Sequence, residues 1–453
     1  MASNDKLSIG VKLGYGVGDL GGNLFFTIIA FWLMFFLTDV AKLPATLAGT
    51  AILIGKLVDA VTDPVAGYLS DRTRTRWGRR RPWFFIAAIP LAFAVTFLFT
   101  NPRIADQNLL FIWAALAYSL ACTVYTCVNI PYNALTPELT KSYNERTSLN
   151  GFRNAFSVVG TLLGAGLAMT LVGIVTPEGS ADQTAGFTFM GAVFGGIMAV
   201  TAIIAFFAVK EPPLPEKVNS ENIFKSYIAA LKNKPFKLIL VPWILFMIGV
   251  TVLTATLKYY FDYVKMDVSM DIAMLVLLVS AMGSMPLMVL LSKKFGKRNT
   301  YIGGMSFFAA VVLVMFFFGR QFNDIGTYIT MVFAGIGLSA NYVMPWSIIP
   351  DTVEHDYAEH GIRREGVFYG LWTFGIKLGQ ALAGFLMGVI LDLFKYVPNV
   401  PQSDTSIFGI MLLVGPVTAL FFVAGNIVLA FYPIDKKAYD ELRTKIEARD
   451  GKQ

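Results

Sequence analysis

The sequence predicts an all-α polytopic membrane protein with twelve transmembrane helices in two six-helix bundles, and three observations carry that prediction. Of 453 residues, 55% are hydrophobic and only 15% are charged, against about 25% charged residues in an ordinary soluble domain. A bilayer core about 30 Å thick takes roughly 20 mostly apolar residues per helix. At a mean hydropathy of +0.60 the chain offers about a dozen such stretches and leaves no large soluble domain over. The third observation is the placement of Lys and Arg, which alternates along the chain as membrane topology requires.

Apolar runs bounded by charge or by Pro and Gly give the spans in order. The first, at about 12–40, follows an N-terminus without a short apolar region and small-residue cleavage site, so no cleaved signal peptide is expected and this span inserts the chain itself. The next lie at about 45–70, 82–100, 108–136, 149–174 and 185–209. A break at 210–236 contains Glu211-Pro-Pro-Leu-Pro-Glu-Lys217 and reads as a cytoplasmic linker. Six more spans follow at about 237–263, 270–292, 299–319, 324–349, 366–393 and 406–432. The expected organisation is an N-terminal bundle (1–209), the linker (210–236) and a C-terminal bundle with a cytoplasmic tail (237–453).

Basic residues crowd into the even-to-odd loops, the linker and both tails, whereas Lys42, Arg103, Lys265, Arg320 and Lys395 are the ones on the opposite side. That asymmetry predicts cytoplasmic termini, and it explains the net charge of +7 without a nucleic-acid partner; a bacterial inner membrane is the expected location. Cys122 and Cys127 fall on different faces of one apolar segment and form no disulfide framework or metal site. His355 and His360 read as loop residues. Six plus six helices around a polar linker resemble major facilitator transporters, whose halves rock about a midplane site. A weak internal echo supports two halves. Gly67 to Arg80 and Leu291 to Arg298 are basic, Gly-containing hairpins at corresponding places, and topology anchoring explains them as well as gating does.

Four basic residues remain inside spans: Lys56, Arg153, Lys258 and Lys377. A charge at that depth costs several kcal/mol unless paired or hydrated, which makes each a functional candidate. Lys258 and Asp262, one turn apart, read as a snorkelling salt bridge. In the second span, Lys56, Asp59 and Asp63 stack on one face at i, i+3 and i+7. Two carboxylates a turn apart must share a proton, bind a cation or pair with a base, and the alternative is a fixed network using Lys56. Pro64 frees a carbonyl near Ala60. In the fourth span Tyr125, Asn129 and Asn133 form a polar stripe with Thr126 beside it, suited either to a hydroxyl-rich ligand or to interhelical hydrogen bonding. Asn23, Thr373 and Lys377 are candidates for the same cavity, with aromatic faces from Tyr342, Trp346, Trp372 and Phe374. Gly160 and Gly164 read as a close-packing motif. Asp351, Glu354, Arg363, Arg364 and Glu365 read equally as an inner charge gate or as solvated loop charges.

Several segments carry a family likeness: Gly14-Tyr-Gly-Val-Gly-Asp-Leu-Gly-Gly-Asn23, Asp59-Ala-Val-Thr-Asp-Pro64, Arg74-Thr-Arg-Trp-Gly78 with Arg81-Pro-Trp83, Asn129-Ile-Pro-Tyr132, Pro350-Asp-Thr-Val-Glu354 with Gly361-Ile-Arg-Arg-Glu-Gly366, and Tyr396-Val-Pro-Asn-Val-Pro-Gln-Ser403. They resemble, nearly end to end, the glycoside-pentoside-hexuronide:cation symporters, the melibiose-permease-like branch of the major facilitator superfamily. The resemblance implies the major facilitator fold and uptake of a sugar, glycoside or sugar acid coupled to Na⁺, Li⁺ or H⁺. It makes Asp59 and Asp63 the cation carboxylates, a metal site for Na⁺ alone, with Thr126 as hydroxyl neighbour and Thr62 at a position that affects cation choice. It aligns Arg153, Tyr125, Thr373 and Lys377 with sugar-binding positions. Asn23 and Asn129 stand where that permease has aspartates, and Asn133 replaces an aromatic platform, so galactoside specificity does not carry over. Arg153 and Lys377 favour an anionic sugar slightly. A lysophospholipid transporter is the second reading, from Pro345-Trp-Ser-Ile-Ile-Pro-Asp351 and Tyr432-Pro-Ile-Asp435. An intramembrane enzyme would need a nucleophile with a base or a metal constellation at depth, and the sequence offers neither. A channel suits one pair of carboxylates less well than alternating access does. Beyond the coupling ion no cofactor is expected, and the partners expected are a small-molecule substrate and the bilayer, with the protein a monomer.

Overall fold

A computed structural model describes residues 6–140, 143–177, 180, 182–211, 223–361, 365–435, 438–442, 444 and 446. Among these, every regular element is helical. The spans are α1 (Ile9–Ile28, continuing through π-helical turns to Val40), α2 (Ala45–Arg72), α3 (Arg81–Leu98), α4 (Gln107–Leu135), α5 (Tyr143–Gly166, with an extension Ala168–Val175), α6 (Thr184–Ala208), α7 (Lys234–Tyr263), α8 (Met270–Phe295), α9 (Lys297–Phe318), α10 (Asp324–His360), α11 (Glu365–Leu393) and α12 (Asp404–Leu412, continuing through a π-helical turn to Leu429). Among the described residues eleven helices are long and apolar enough to cross a membrane, and the two pieces of α5, bent by 43° around Leu167, make a twelfth when counted as one span.

The helices begin where polar residues precede an apolar run. Asp106, Asn233, Asn323 and Ser403 each accept a hydrogen bond from a backbone N–H of the turn that follows, the usual satisfaction of the orphan donors at a helix start. Pro64, Pro131, Pro242 and Pro286 sit inside helices that continue past them, as transmembrane packing tolerates. The largest departure from the predicted boundaries is α10, expected to stop near residue 349. Pro350 fails to end it because the turns beyond are held by the helix ladder, and the chain leaves only at Gly361, whose φ of 73° suits a residue without a side chain. The segment expected to be linker includes a short helix, Ile223–Lys232, before the Asn233 cap.

Two compact units emerge, one formed by residues 1–216 with 384–402 and the other by 217–383 with 403–453. Inside the first, α1 packs on α6, α2 on α4, and α3 on both α4 and α6. Inside the second, the corresponding helices repeat those pairings: α7 on α12, α8 on α10, and α9 on both α10 and α12. The repeat extends to small residues. A Cβ on Gly160 of α5 would stand 2.3 Å from the Leu20 carbonyl oxygen of α1, and one on Gly379 of α11 would stand 3.0 Å from the Ile244 carbonyl oxygen of α7. The Gly160 and Gly164 pattern is therefore a packing motif, and Gly375 and Gly379 are its counterpart in the second unit. Gly160→Ala is expected to cost about 1–3 kcal/mol by overpacking, while Gly151→Ala on the same helix meets nothing within 4 Å and stays within about 0.5 kcal/mol of the parent or above it. Thermal unfolding of the two purified variants checks the contrast.

Residues 384–402 join the first unit through specific bonds. α2 begins at Pro44 without a side-chain cap of its own, and Asp392 supplies one, accepting from Ala45 N (3.2 Å) and Thr46 N (2.7 Å). The Tyr396 hydroxyl donates to buried Asp39, and Asn399 Nδ2 reaches the Asp39 carbonyl oxygen at 2.5 Å.

Candidate functional site

Within the first unit, α2 presents Asp59 and Asp63 one turn apart to α4. Thr126 Oγ1 lies 2.9 Å from Asp59 Oδ1 and 3.0 Å from Asp63 Oδ1, with Asp59 and Thr126 buried. A hydroxyl carries one proton, so it donates to one of these oxygens and faces the other lone pair to lone pair. A proton on one carboxyl group or a cation between the oxygens relieves that contact. The Lys56 Nζ lies 5.4 Å from the centre of the Phe26 ring. Thr62 turns its hydroxyl back to the Asp59 carbonyl at 3.2 Å and away from the carboxylates.

A second cluster gathers one turn further along α4. Arg153 of α5 pairs with Asp19 of α1 through Nε and Nη2, while Nη2 also donates to Asn133 Oδ1 (2.6 Å) and Nη1 to Thr136 Oγ1 (2.7 Å). The guanidinium stands 5.0 Å from the centre of the Tyr132 ring, and the Tyr132 hydroxyl lies between two acceptors, the Tyr15 carbonyl oxygen at 2.7 Å and Asp19 Oδ2 at 2.9 Å. Asn133 Nδ2 continues the chain to Asn129 Oδ1 at 2.8 Å. Asn133 is exposed and Asn129 half-buried, so amides form the open edge of this cluster. A pocket about the size of one water molecule adjoins it, lined by Gly18, Gly22, Tyr125, Asn129 and Tyr132.

Other candidates are placed differently. Tyr125 is buried and stacked on Phe25 with ring centres 4.2 Å apart, and Asn23 bonds Ser157 Oγ at 2.8 Å. Both are contacts between helices in this conformation, and for Tyr125 that is one of the two roles weighed for the polar stripe. In the second unit Lys377 is buried, Thr373 and Tyr342 are exposed, and the Thr373 hydroxyl donates to the Tyr369 carbonyl at 3.0 Å. Trp372 is fully buried and stacked on Trp243 at 4.8 Å, so it is core and offers no open face. Lys258 and Asp262 do pair, at 2.6 Å, but the lysine side chain is only 8% exposed; the bridge is internal and does not snorkel. Asp351 pairs with Lys297 at 2.7 Å. Glu354 is half-buried, and Arg363 and Arg364 lie outside the described residues, as does the Glu365 side chain.

Three residues in these networks were not singled out from sequence. Asp19 is an acid inside an apolar span, four residues before Asn23 on one helical face, and a search for the carboxylate that Arg153 requires would have found it. Lys297 was counted only as a topology residue. Glu211, in the expected linker, accepts from the Arg79 and Arg80 backbone N–H groups at 2.9 Å each and pins the arginine-rich hairpin.

Comparison with known proteins follows the same lines. The family model described as MFS/sugar transport protein matches residues 14–436. An uncharacterised symporter of Synechocystis is 31% identical, with 99% of this chain and 98% of the relative covered. The isoprimeverose transporter of Lactiplantibacillus pentosus is 29% identical over 94% and 88%. Among solved structures, that of a D-xylose-proton symporter superposes with a TM-score of 0.69 at 14% identity, covering 95% of this chain and 98% of that one; at that identity it speaks for the fold.

Proposed function

The chain belongs to the MFS/sugar transport protein family, and from that premise we propose that it is a cation-coupled symporter importing a sugar, glycoside or sugar acid by alternating access. It is an integral membrane transporter of the major facilitator fold and not an enzyme. The observation that carries the coupling is the Thr126 hydroxyl between the Asp59 and Asp63 carboxylates, a set of oxygens suited to Na⁺ or to a shared proton. The coupling ion is cargo, and its site needs no resident cofactor. For the substrate, the exposed amide edge of Asn133 and Asn129 beside Arg153 supplies donors and acceptors that sugar hydroxyls match.

The test is uptake into membrane vesicles of monosaccharides, disaccharides, hexuronides and lysolipids, each with and without a Na⁺ or pH gradient. A sugar accumulated uphill under one gradient is the expected result. Uptake that equilibrates without responding to either gradient would refute coupling, and lysolipid transport in place of any sugar would replace the substrate class. In the same assay Asn129→Ala is expected to raise the substrate KM about tenfold, the worth of roughly one hydrogen bond, while leaving the cation dependence in place. An unchanged KM would remove Asn129 from the sugar site.

A further inference from the structure

We infer that Asp19 is a specificity-determining residue: by neutralising Arg153 it sets the substrate face of the first unit to take an uncharged, hydroxyl-rich ligand over its acidic counterpart. The inference rests on the sugar-transport reading above and deepens it.

A guanidinium has five N–H donors. In Arg153 four of them are engaged, Nε and one of Nη2 by the Asp19 carboxylate, the other Nη2 donor by Asn133 and one Nη1 donor by Thr136. The contact with Asp19 is of the forked, two-bond kind, the geometry that carboxylates use best on arginine. Both side chains are 14% exposed. The Tyr132 hydroxyl stands 2.9 Å from Asp19 Oδ2 and 2.7 Å from the Tyr15 carbonyl oxygen, one proton between two acceptors, so Arg153 is the partner that balances the carboxylate. An acidic ligand seeking Arg153 must expel Asp19 and leave that carboxylate buried beside a second negative charge, which a low-dielectric site penalises heavily. A neutral ligand needs no such exchange. It meets the remaining Nη1 donor and the Asn133 and Asn129 amides, with the guanidinium charge already balanced.

The sequence alone suggested the opposite preference, since Arg153 and Lys377 count as two positive charges and Asp19 went unpaired. Pairing removes one of them from the account, and it does so within the first unit.

The experiment compares uptake of matched sugars that differ only at C6, a neutral methyl glycoside and the corresponding methyl uronide, by the full-length protein in vesicles. The parent protein is expected to favour the neutral member of the transported pair by at least tenfold in kcat/KM. Asp19→Asn keeps the shape and removes the charge, and it is expected to shift that ratio at least tenfold toward the uronide. Asp19→Glu, which restores the charge, should return most of the neutral preference. A change confined to folding would lower uptake of both sugars alike and leave the ratio where it was. Preference of the parent protein for the uronide would overturn the inference even if Asp19→Asn failed to accumulate in the membrane, and an unchanged ratio in a well-folded Asp19→Asn would do the same. Transport of neither member of any pair is a separate outcome: it removes the sugar reading itself, and this inference with it.

Discussion

Asp59→Asn and Asp63→Asn are each expected to abolish uphill accumulation while downhill exchange of substrate persists. Symport requires that cation and substrate each bind better when the other is present, and such couplings are worth about 1–3 kcal/mol, or 5- to 150-fold in affinity. The proposed coupling has a short physical path, since Thr126 touches both carboxylates and Asn129 lies three residues further along α4. Replacing either aspartate gives the Thr126 hydroxyl a neutral neighbour, relieves the lone-pair contact without a cation, and removes half of the negative charge that attracts one. The stimulation of sugar binding by Na⁺ or protons should therefore fall to roughly onefold, while the sugar's affinity without cation stays within about threefold of the parent, because neither carboxylate belongs to the Arg153 cluster. Counterflow of labelled sugar across vesicles reports exchange, and accumulation under an imposed gradient reports coupling. Normal accumulation by both variants would move the cation site elsewhere.

What was legible in the sequence follows from how far apart the contributing residues lie. Asp59 and Asp63 share a face of α2 because helical period fixes it, and that much could be read locally. Twelve spans and their order were legible for the same reason, since a run of apolar residues marks each one and the bilayer sets its length. The end of α10 was not, because the helix ladder runs on past Pro350 and the chain leaves it only at Gly361. The cap on α2 was beyond reach, as Asp392 comes from 346 residues away. The Arg153 and Asp19 pair joins residues 134 apart with no periodicity to announce it. The Lys56 contact was not legible either: the Phe26 ring that its Nζ approaches at 5.4 Å lies on α1, thirty residues away in sequence.

Breaking the Arg153 and Asp19 pair should produce the largest stability effect in the first unit. Arg153→Ala leaves the half-buried Asp19, 14% exposed, without its counter-charge, and removing one partner of a fully buried pair, the upper limit here, costs about 3–5 kcal/mol. Measured pairings inside membranes run weaker, because the unfolded chain in lipid also finds partners, so about 3 kcal/mol is the expected loss. The double variant Arg153→Met with Asp19→Leu leaves no stranded charge and fills similar volume. It is expected to regain most of that stability, since an apolar pair often replaces a buried ion pair at no net cost. Sugar uptake should behave otherwise. If Arg153 also meets substrate, the double variant stays inactive at a stability close to the parent's, and that split between folding and transport distinguishes a binding residue from a structural one. Thermal unfolding in detergent and vesicle uptake of the four proteins in the cycle provide the readout. A double variant that recovers both stability and uptake would reduce the pair to a structural tie between α1 and α5.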